Sequence, residues 1–413
     1  MKVSLSIILF LQISLAVVAK EIKVCKQCNY NTISAAIAYA SSNDTILILK
    51  GTYNESTIVI DKPLVVIGME GAIIDGKSKG DILLLRANNI TVEGLKIENS
   101  GSSNVRDFAG IKVENSANCI IKDNELVHNY FAIYLSNSSD CEVSHNKING
   151  HAIKESNSGN GIHLWKSNSI KVQFNEAYNH RDGIYLEFSE KCTIYDNISE
   201  GNLRYGLHFM FSHGNSYVCN TFRKNGAGVA VMYTKQVEMI NNTFEENWGT
   251  ASYGLLLKDI SKSTIKGNKF VKNTVGVYME GVSDVAFSAN EFISNGWGIK
   301  LMGNSTSNKL TGNNFMDNTF DLVTNSFDMG KENFISDNFW DKYEGYDLDR
   351  NRIGDVPYRP VSLFSVYVER IPYSVILLRS FMVNLLNKIE QAVPAMIPET
   401  LMDRSPKMQK LLL

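Results

Sequence analysis

Residues 206–233 read GLHFMFSHGNSYVCNTFRKNGA and then GVAVMY, which is one full unit of an internal repeat and the opening of the next. After the glycine, apolar Leu207 and Phe209 alternate with His208 and Met210, the period of two that marks a short strand with one face buried. The alternation restarts at Gly228 with Val229, Ala230, Val231 and Met232. Between the two strands lie polar, glycine- and asparagine-containing corners rather than a helical stretch.

Working outward, Gly or Ala opens a unit at 110, 132, 161, 183, 206, 228, 254, 276 and 298, at spacings of 22, 29, 22, 23, 22, 26, 22 and 22. Fourteen residues after an opener stands Asn124, Asn146, Asn175, Asn197, Asn220, Asn242, Asn268 or Asn290. Phe222, Phe244, Phe270 and Phe292 follow such an Asn by two. A period near 22 is too short for helical-hairpin repeats, and the Leu spacing of a leucine-rich repeat is missing. The expected fold is therefore all-β: a right-handed parallel β-helix with stacked Asn at one corner and stacked Phe inside. Cys119, Cys141 and Cys192 each lie nine residues after an opener, so they should share one interior stack as small hydrophobes.

The spacings of 29 and 26 place extra residues at 150–160 and 249–253, both just before an opening glycine. Insertions in solenoids emerge on one face, often the binding face. These two bracket the coils from 161 to 228.

The flanks divide the rest of the chain. Lys2, the apolar run 3–15 and compact residues before Lys20 make 1–19 an export signal, too short for a membrane anchor. Residues 20–80 supply first strands and an N-terminal cap, a short helix begun by Thr32 with Ile33, Ala36, Ile37 and Ala40 on one side. Repeats occupy 81–340. In the acidic stretch 341–361, Asp347, Asp349, Asn351 and Asp355 alternate like the oxygen ligands of a calcium loop, but Arg352 stands where glycine belongs and no closing Glu follows. The alternative there is a plain acidic turn. The apolar, helical tail 362–413 carries Leu363, Phe364, Tyr367, Leu377, Leu378, Phe381 and Leu385, an extended surface suited to docking on a partner. Removing everything after Pro360 is expected to leave a folded β-helix without that partner. Cys25 and Cys28 form a C-x-x-C, read either as a local disulfide or as a redox or metal pair.

With a net charge of −2 and charges mixed along the chain, nothing suggests nucleic acid or an anionic membrane surface. Met210 and Met232 occupy the fourth position after successive glycines, so their thioethers should be outward-facing neighbours about 4.8 Å apart. His208 lies on the same face, with His163 two coils earlier and His213 just past the strand. Thioether sulfur with imidazole selects copper(I) over zinc or calcium. The plainer reading is that these side chains contact a loop or the tail. The main alternative function, binding or modifying polysaccharide, calls for paired acids on an outward face. Glu187 and Glu280 share a position but stand four coils apart, roughly 19 Å. Asp182 has no accompanying acid.

The strings YGLHFMFS (205–212), SYGLLLKDIS (252–261), NTVGVYMEG (273–281), NGWGIKLMGNS (295–305) and GDVPYRPVSLF (354–364) resemble the NosD family, whose members assist copper-site assembly of nitrous-oxide reductase. The resemblance runs from about residue 21 into the tail. It implies a periplasmic β-helix without catalysis of its own. Its implied partners are an ABC-type transporter of permease and ATPase, a copper chaperone and the reductase, with the membrane approached only through the transporter. It carries over no ligand set, so His208, Met210 and Met232 stand on spacing alone.

Overall fold

A computed structural model describes residues 19–103, 105–325, 333–378, 380–392 and 401–413. The export signal expected at 1–19 lies, apart from its last residue, outside them. The chain winds as a parallel solenoid whose three sheets hold 12, 14 and 13 strands among the described residues. Each coil contributes to them in turn, as in Tyr205–Met210, Ser216–Val218 and Thr221–Arg223. We call these the first, second and third sheets. Coils begin at Glu21–Val24 rather than near residue 81, because the early strands join the same three sheets. Their sequence merely lacks the Gly and Asn markers that made the later coils legible.

The openers are glycines because the next coil presses on them. A Cβ on Gly228 would sit 2.3 Å from the carbonyl oxygen of Gly254, and one on Gly206 would sit 2.7 Å from Asn225 Nδ2. At the corner between the second and third sheets, one residue per coil takes positive φ, among them Asp196, Cys219 and Asn241. That backbone costs energy for a non-glycine residue. The following Asn offsets the cost. Asn220 Nδ2 donates to Asn242 Oδ1 (3.0 Å) and to the Ile194 carbonyl (2.8 Å), and its backbone N–H donates to the same Oδ1 (2.9 Å). This ladder runs unbroken from Asn124 through Asn313 to Asn338. A second ladder, absent from the sequence reading, joins Asn202, Asn225, Asn247, Asn273, Asn295 and Asn318 at the corner between the third and first sheets.

Inside, Phe222, Phe244, Phe270, Phe292, Phe315 and Trp340 form one stack, with ring centroids 4.1–5.6 Å apart. Cys119, Cys141 and Cys192 are buried free thiols, as expected. Cys25 and Cys28 are disulfide-bonded, which favours the local-bridge reading. Helix α1 (Ile33–Tyr39) caps the first coil: Thr32 accepts from Ala35 N–H, Glu55 accepts from Ile33 and Ser34 N–H, and Ile33, Ala36 and Ile37 are buried.

The far end differs most from expectation. The tail is helical in α2 (Leu363–Arg370) and α3 (Phe381–Ala392), joined through a 3₁₀ turn at Pro372–Leu377. Residues 401–413 then return to close the last coil. Asp403, fully buried, accepts from Asp337 N–H (3.2 Å), Asn338 N–H (3.0 Å), Asn338 Nδ2 (3.1 Å) and Trp340 Nε1 (3.0 Å). Leu411 and Asn314 exchange two hydrogen bonds, and Leu401 is buried in the main core. Truncation after Pro360 would therefore strip the cap from the final Asn and Trp, and the expectation that it leaves the solenoid intact is withdrawn. α2 and α3 form a pinned excursion between two segments of the closing cap, not a free end.

Candidate functional site

The candidate site is the outer face of the first sheet. Register pairs Tyr134 with His163, His163 with Tyr185, and Tyr185 with His208, so four rings climb four successive coils in one column. Their centroids lie 4.7, 4.8 and 4.7 Å apart. A second column pairs Glu187 with Met210 and Met210 with Met232, as the alternation required. Tyr185 ties the columns together, its hydroxyl donating to Met210 Sδ at 3.8 Å.

These side chains point out of the solenoid, but the rings are not open to solvent. His208 is 5% and His163 is 7% exposed, whereas the two methionines are half-buried. The ring column covers itself, with Tyr205 flanking His208 at 4.9 Å and Phe131 flanking His163 at 5.3 Å. Neither nitrogen of His208 has a hydrogen-bond partner, nor does His163 Nε2. Buried imidazole nitrogens without partners are costly, and a metal ion is one way to satisfy them. The other His163 nitrogen, Nδ1, lies 3.1 Å from Asn160 Nδ2. Burial, then the nearby Arg181 charge, pushes the His163 pKa down to about 3, so the ring is neutral at any physiological pH.

Asp182 was passed over in the sequence for want of a second acid; its partner is a base. Arg204, one coil on, grips the fully buried carboxylate with both Nε and Nη2. His208 Nδ1 stands 3.8 Å from the same carboxylate, beyond hydrogen-bond range but within reach of its charge. Burial alone would raise the Asp182 pKa, but the hydrogen bonds and charge of Arg204, with His208 close by, hold it down at about 2. A sequence signal existed: Asp182 directly precedes an opener, and Arg204 stands two residues before the next one.

The expected site residues separate into groups. His208, Met210 and Met232 share one patch. His163 faces the same way, but the Tyr185 ring lies between it and His208. His213 sits in the turn beyond the strand, where its Nδ1 accepts from Lys235 N–H at 3.4 Å. Among the described residues no cluster of three or more His, Cys, Asp or Glu could hold a metal ion. Asp347 accepts from the Asn351 and Arg352 amides, Asp349 from Asn351, Asp355 from Leu348, and Asn351 Oδ1 from Ile353 N–H. Those oxygens are spent closing a turn, which favours the acidic-turn reading over calcium.

In the tail, Phe364 packs inward on Phe320, with Val368 and Val383 buried in the same cluster and Leu378 against it. That is a correction to its expected docking role. Leu363 is half-buried, its N–H bonded to Glu390. Tyr367, Leu377, Phe381 and Leu385 are exposed, as are Tyr373, Ile376 and Met382. The Lys300–Glu369 ion pair (2.7 Å) holds α2 onto the first sheet, so the helices and the His/Met patch share one side of the solenoid. Three coils separate Met232 from the Lys300 strand, roughly 14 Å.

A family profile described as "Periplasmic copper-binding protein (NosD)" matches residues 144–345, and one described as "Right handed beta helix region" matches residues 22–177. The "Probable ABC transporter binding protein NosD" of Pseudomonas aeruginosa is 29% identical over 378 residues, 85% of each chain. The chain is similar to NosD proteins over most of its length. A second NosD, from Stutzerimonas stutzeri, is 27% identical over 86% of this chain and 85% of its own. The profile describes a periplasmic copper-binding protein and both relatives are named as ABC transporter binding proteins, descriptions of binding rather than of an enzyme. The fold recurs in the Yersinia enterocolitica Family 28 exopolygalacturonase, at 10% identity over 78% of this chain and 79% of that one, with a TM-score of 0.60. At that identity the likeness is one of fold alone. No helix among the described residues is long and apolar enough to cross a membrane.

Proposed function

We propose that this NosD-like chain receives and passes on copper(I) in the periplasm for assembly of nitrous-oxide reductase, working with a copper chaperone and an ABC-type transporter. One observation carries the reading: Met210 and Met232 are register partners beside His208, whose buried nitrogens have no partner of their own. Copper is cargo here. Two thioethers and an imidazole suit its soft monovalent state and would let it leave again.

A copper(I) titration under anaerobic, reducing conditions against a competing chelator tests this. The wild type should compete for copper, and a folded variant carrying His208→Ala, Met210→Ala and Met232→Ala should not. Equal behaviour of the two would remove the patch as the site.

The transporter contact falls, in this reading, on the exposed apolar side of the tail excursion. Replacing Tyr373, Ile376, Phe381 and Met382 by Ser should abolish co-purification with the permease and ATPase while leaving the β-sheet circular dichroism unchanged. Retention of the complex would move the docking surface elsewhere.

A further inference from the structure

A second histidine grouping lies far from the first sheet's outer face. His128 and His151 stand at the corner leaving the third sheet, on successive coils, with ring centroids 5.7 Å apart and planes at 62°. Both are exposed. Among the described residues, no hydrogen bond engages either imidazole.

Their backbones are fixed by the solenoid. His128 N–H donates to Asn149 O (2.9 Å), and the residues either side of His151 donate to the coil beyond: Gly150 to Tyr178 O (2.9 Å) and Ala152 to Asn179 O (2.9 Å). His128 follows the strand Glu125–Val127, and His151 stands two residues after the strand Lys147–Asn149 paired with it. The two Cα positions are therefore set by a rigid ladder, and only side-chain rotation remains to be ordered on binding an ion.

The separation suits an ion held between the rings. With each imidazole nitrogen about 2.0–2.1 Å from a shared ion, tetrahedral or wider angles put the ring centres roughly 5–6 Å apart. Imidazole is a ligand of intermediate softness, so such a pair takes borderline divalent ions, and among these Cu²⁺ binds more tightly than Ni²⁺ or Zn²⁺. No thioether is at hand to favour the monovalent ion.

We propose that His128 and His151 form a surface site for a borderline divalent cation, with copper(II) the tightest ligand and water completing the shell. The site is independent of the His208, Met210 and Met232 patch and does not rest on the copper(I) reading. The two would differ in the oxidation state they hold.

The test is a titration of the full protein with copper(II), read by electron paramagnetic resonance, with zinc as a second probe by calorimetry. The expected result is one equivalent of copper(II) with nitrogen hyperfine structure from two imidazoles. His128→Ala and His151→Ala should each remove that species, while the triple variant at His208, Met210 and Met232 retains it. Both replacements are on the surface and should not disturb folding. An unchanged copper(II) signal in both single variants, or its loss in the triple variant, would overturn the proposal.

Discussion

Replacing Asp403 by Ala is expected to cost about 3–5 kcal/mol at the C-terminal end of the solenoid, because a buried charged acceptor is removed from several donors at once. The Trp340 indole and the backbone N–H groups of Asp337 and Asn338 would lose their acceptor, and the Asn338 amide would keep only the Leu310 and Ser336 carbonyls. In a repeat protein each coil contacts chiefly its neighbours, so the damage should be local before it is global. Hydrogen exchange resolved by peptide should show faster exchange at 309–340 and little change at 110–230. Uniform exchange across the chain would mean that the clasp does not hold the end. Because residues 401–413 fold back, cutting after Pro360 should reproduce the Asp403→Ala pattern and add to it.

Arg204→Met is the second large effect. It removes one partner of a buried ion pair and leaves Asp182 uncompensated, which costs about 3–5 kcal/mol at neutral pH. The pH dependence gives the sign. In the wild type, the folded Asp182 pKa is about 2, below its unfolded value. Its stabilisation, about 2–3 kcal/mol, is present above the unfolded pKa near 4 and is lost as pH falls through about 2. In Arg204→Met, burial without the guanidinium raises the carboxyl pKa instead, so stability should fall as pH rises through the shifted value. Urea unfolding from pH 3 to pH 8 should show the variant closest to wild type at the acid end. A parallel offset at every pH would show that Arg204 acts through packing alone. Replacing Asp182 by Asn in the same chain should recover much of the loss, since removing both charges of a buried pair is often nearly neutral.

The two effects bear on function differently. Asp403 fixes the end from which α2 and α3 project, and so the surface proposed for the transporter. Asp182 and Arg204 lie beneath His208 and set the charge it faces. Disturbing that pair should therefore alter copper(I) competition as well as stability.

Much of this was legible in one dimension. The 22-residue period, the glycine openers, the first Asn ladder and the Phe stack each arise because a solenoid places residue n directly over its equivalent one coil on. A local spacing thus becomes a spatial neighbour without knowledge of any long-range fold. The pairing of Met210 with Met232, and the capping helix begun by Thr32, were readable for the same reason.

What lay beyond the sequence was burial and closure. Alternation showed that His163 and His208 point outward, but the surrounding Tyr and Phe rings that shield them come from four coils and the corners between. The second Asn ladder was also within reach of spacing, since Asn202, Asn225, Asn247, Asn273 and Asn295 each stand nineteen residues after an opener, with His180 in place of Asn in one coil. Asp403 meets Asn338 across 65 residues with no repeat to announce it. Periodic contacts follow from composition and spacing. Non-periodic ones, such as the clasp, the pinned helices and the Arg204 grip on Asp182, depend on which surfaces the whole chain leaves uncovered, and only the tertiary structure decides that.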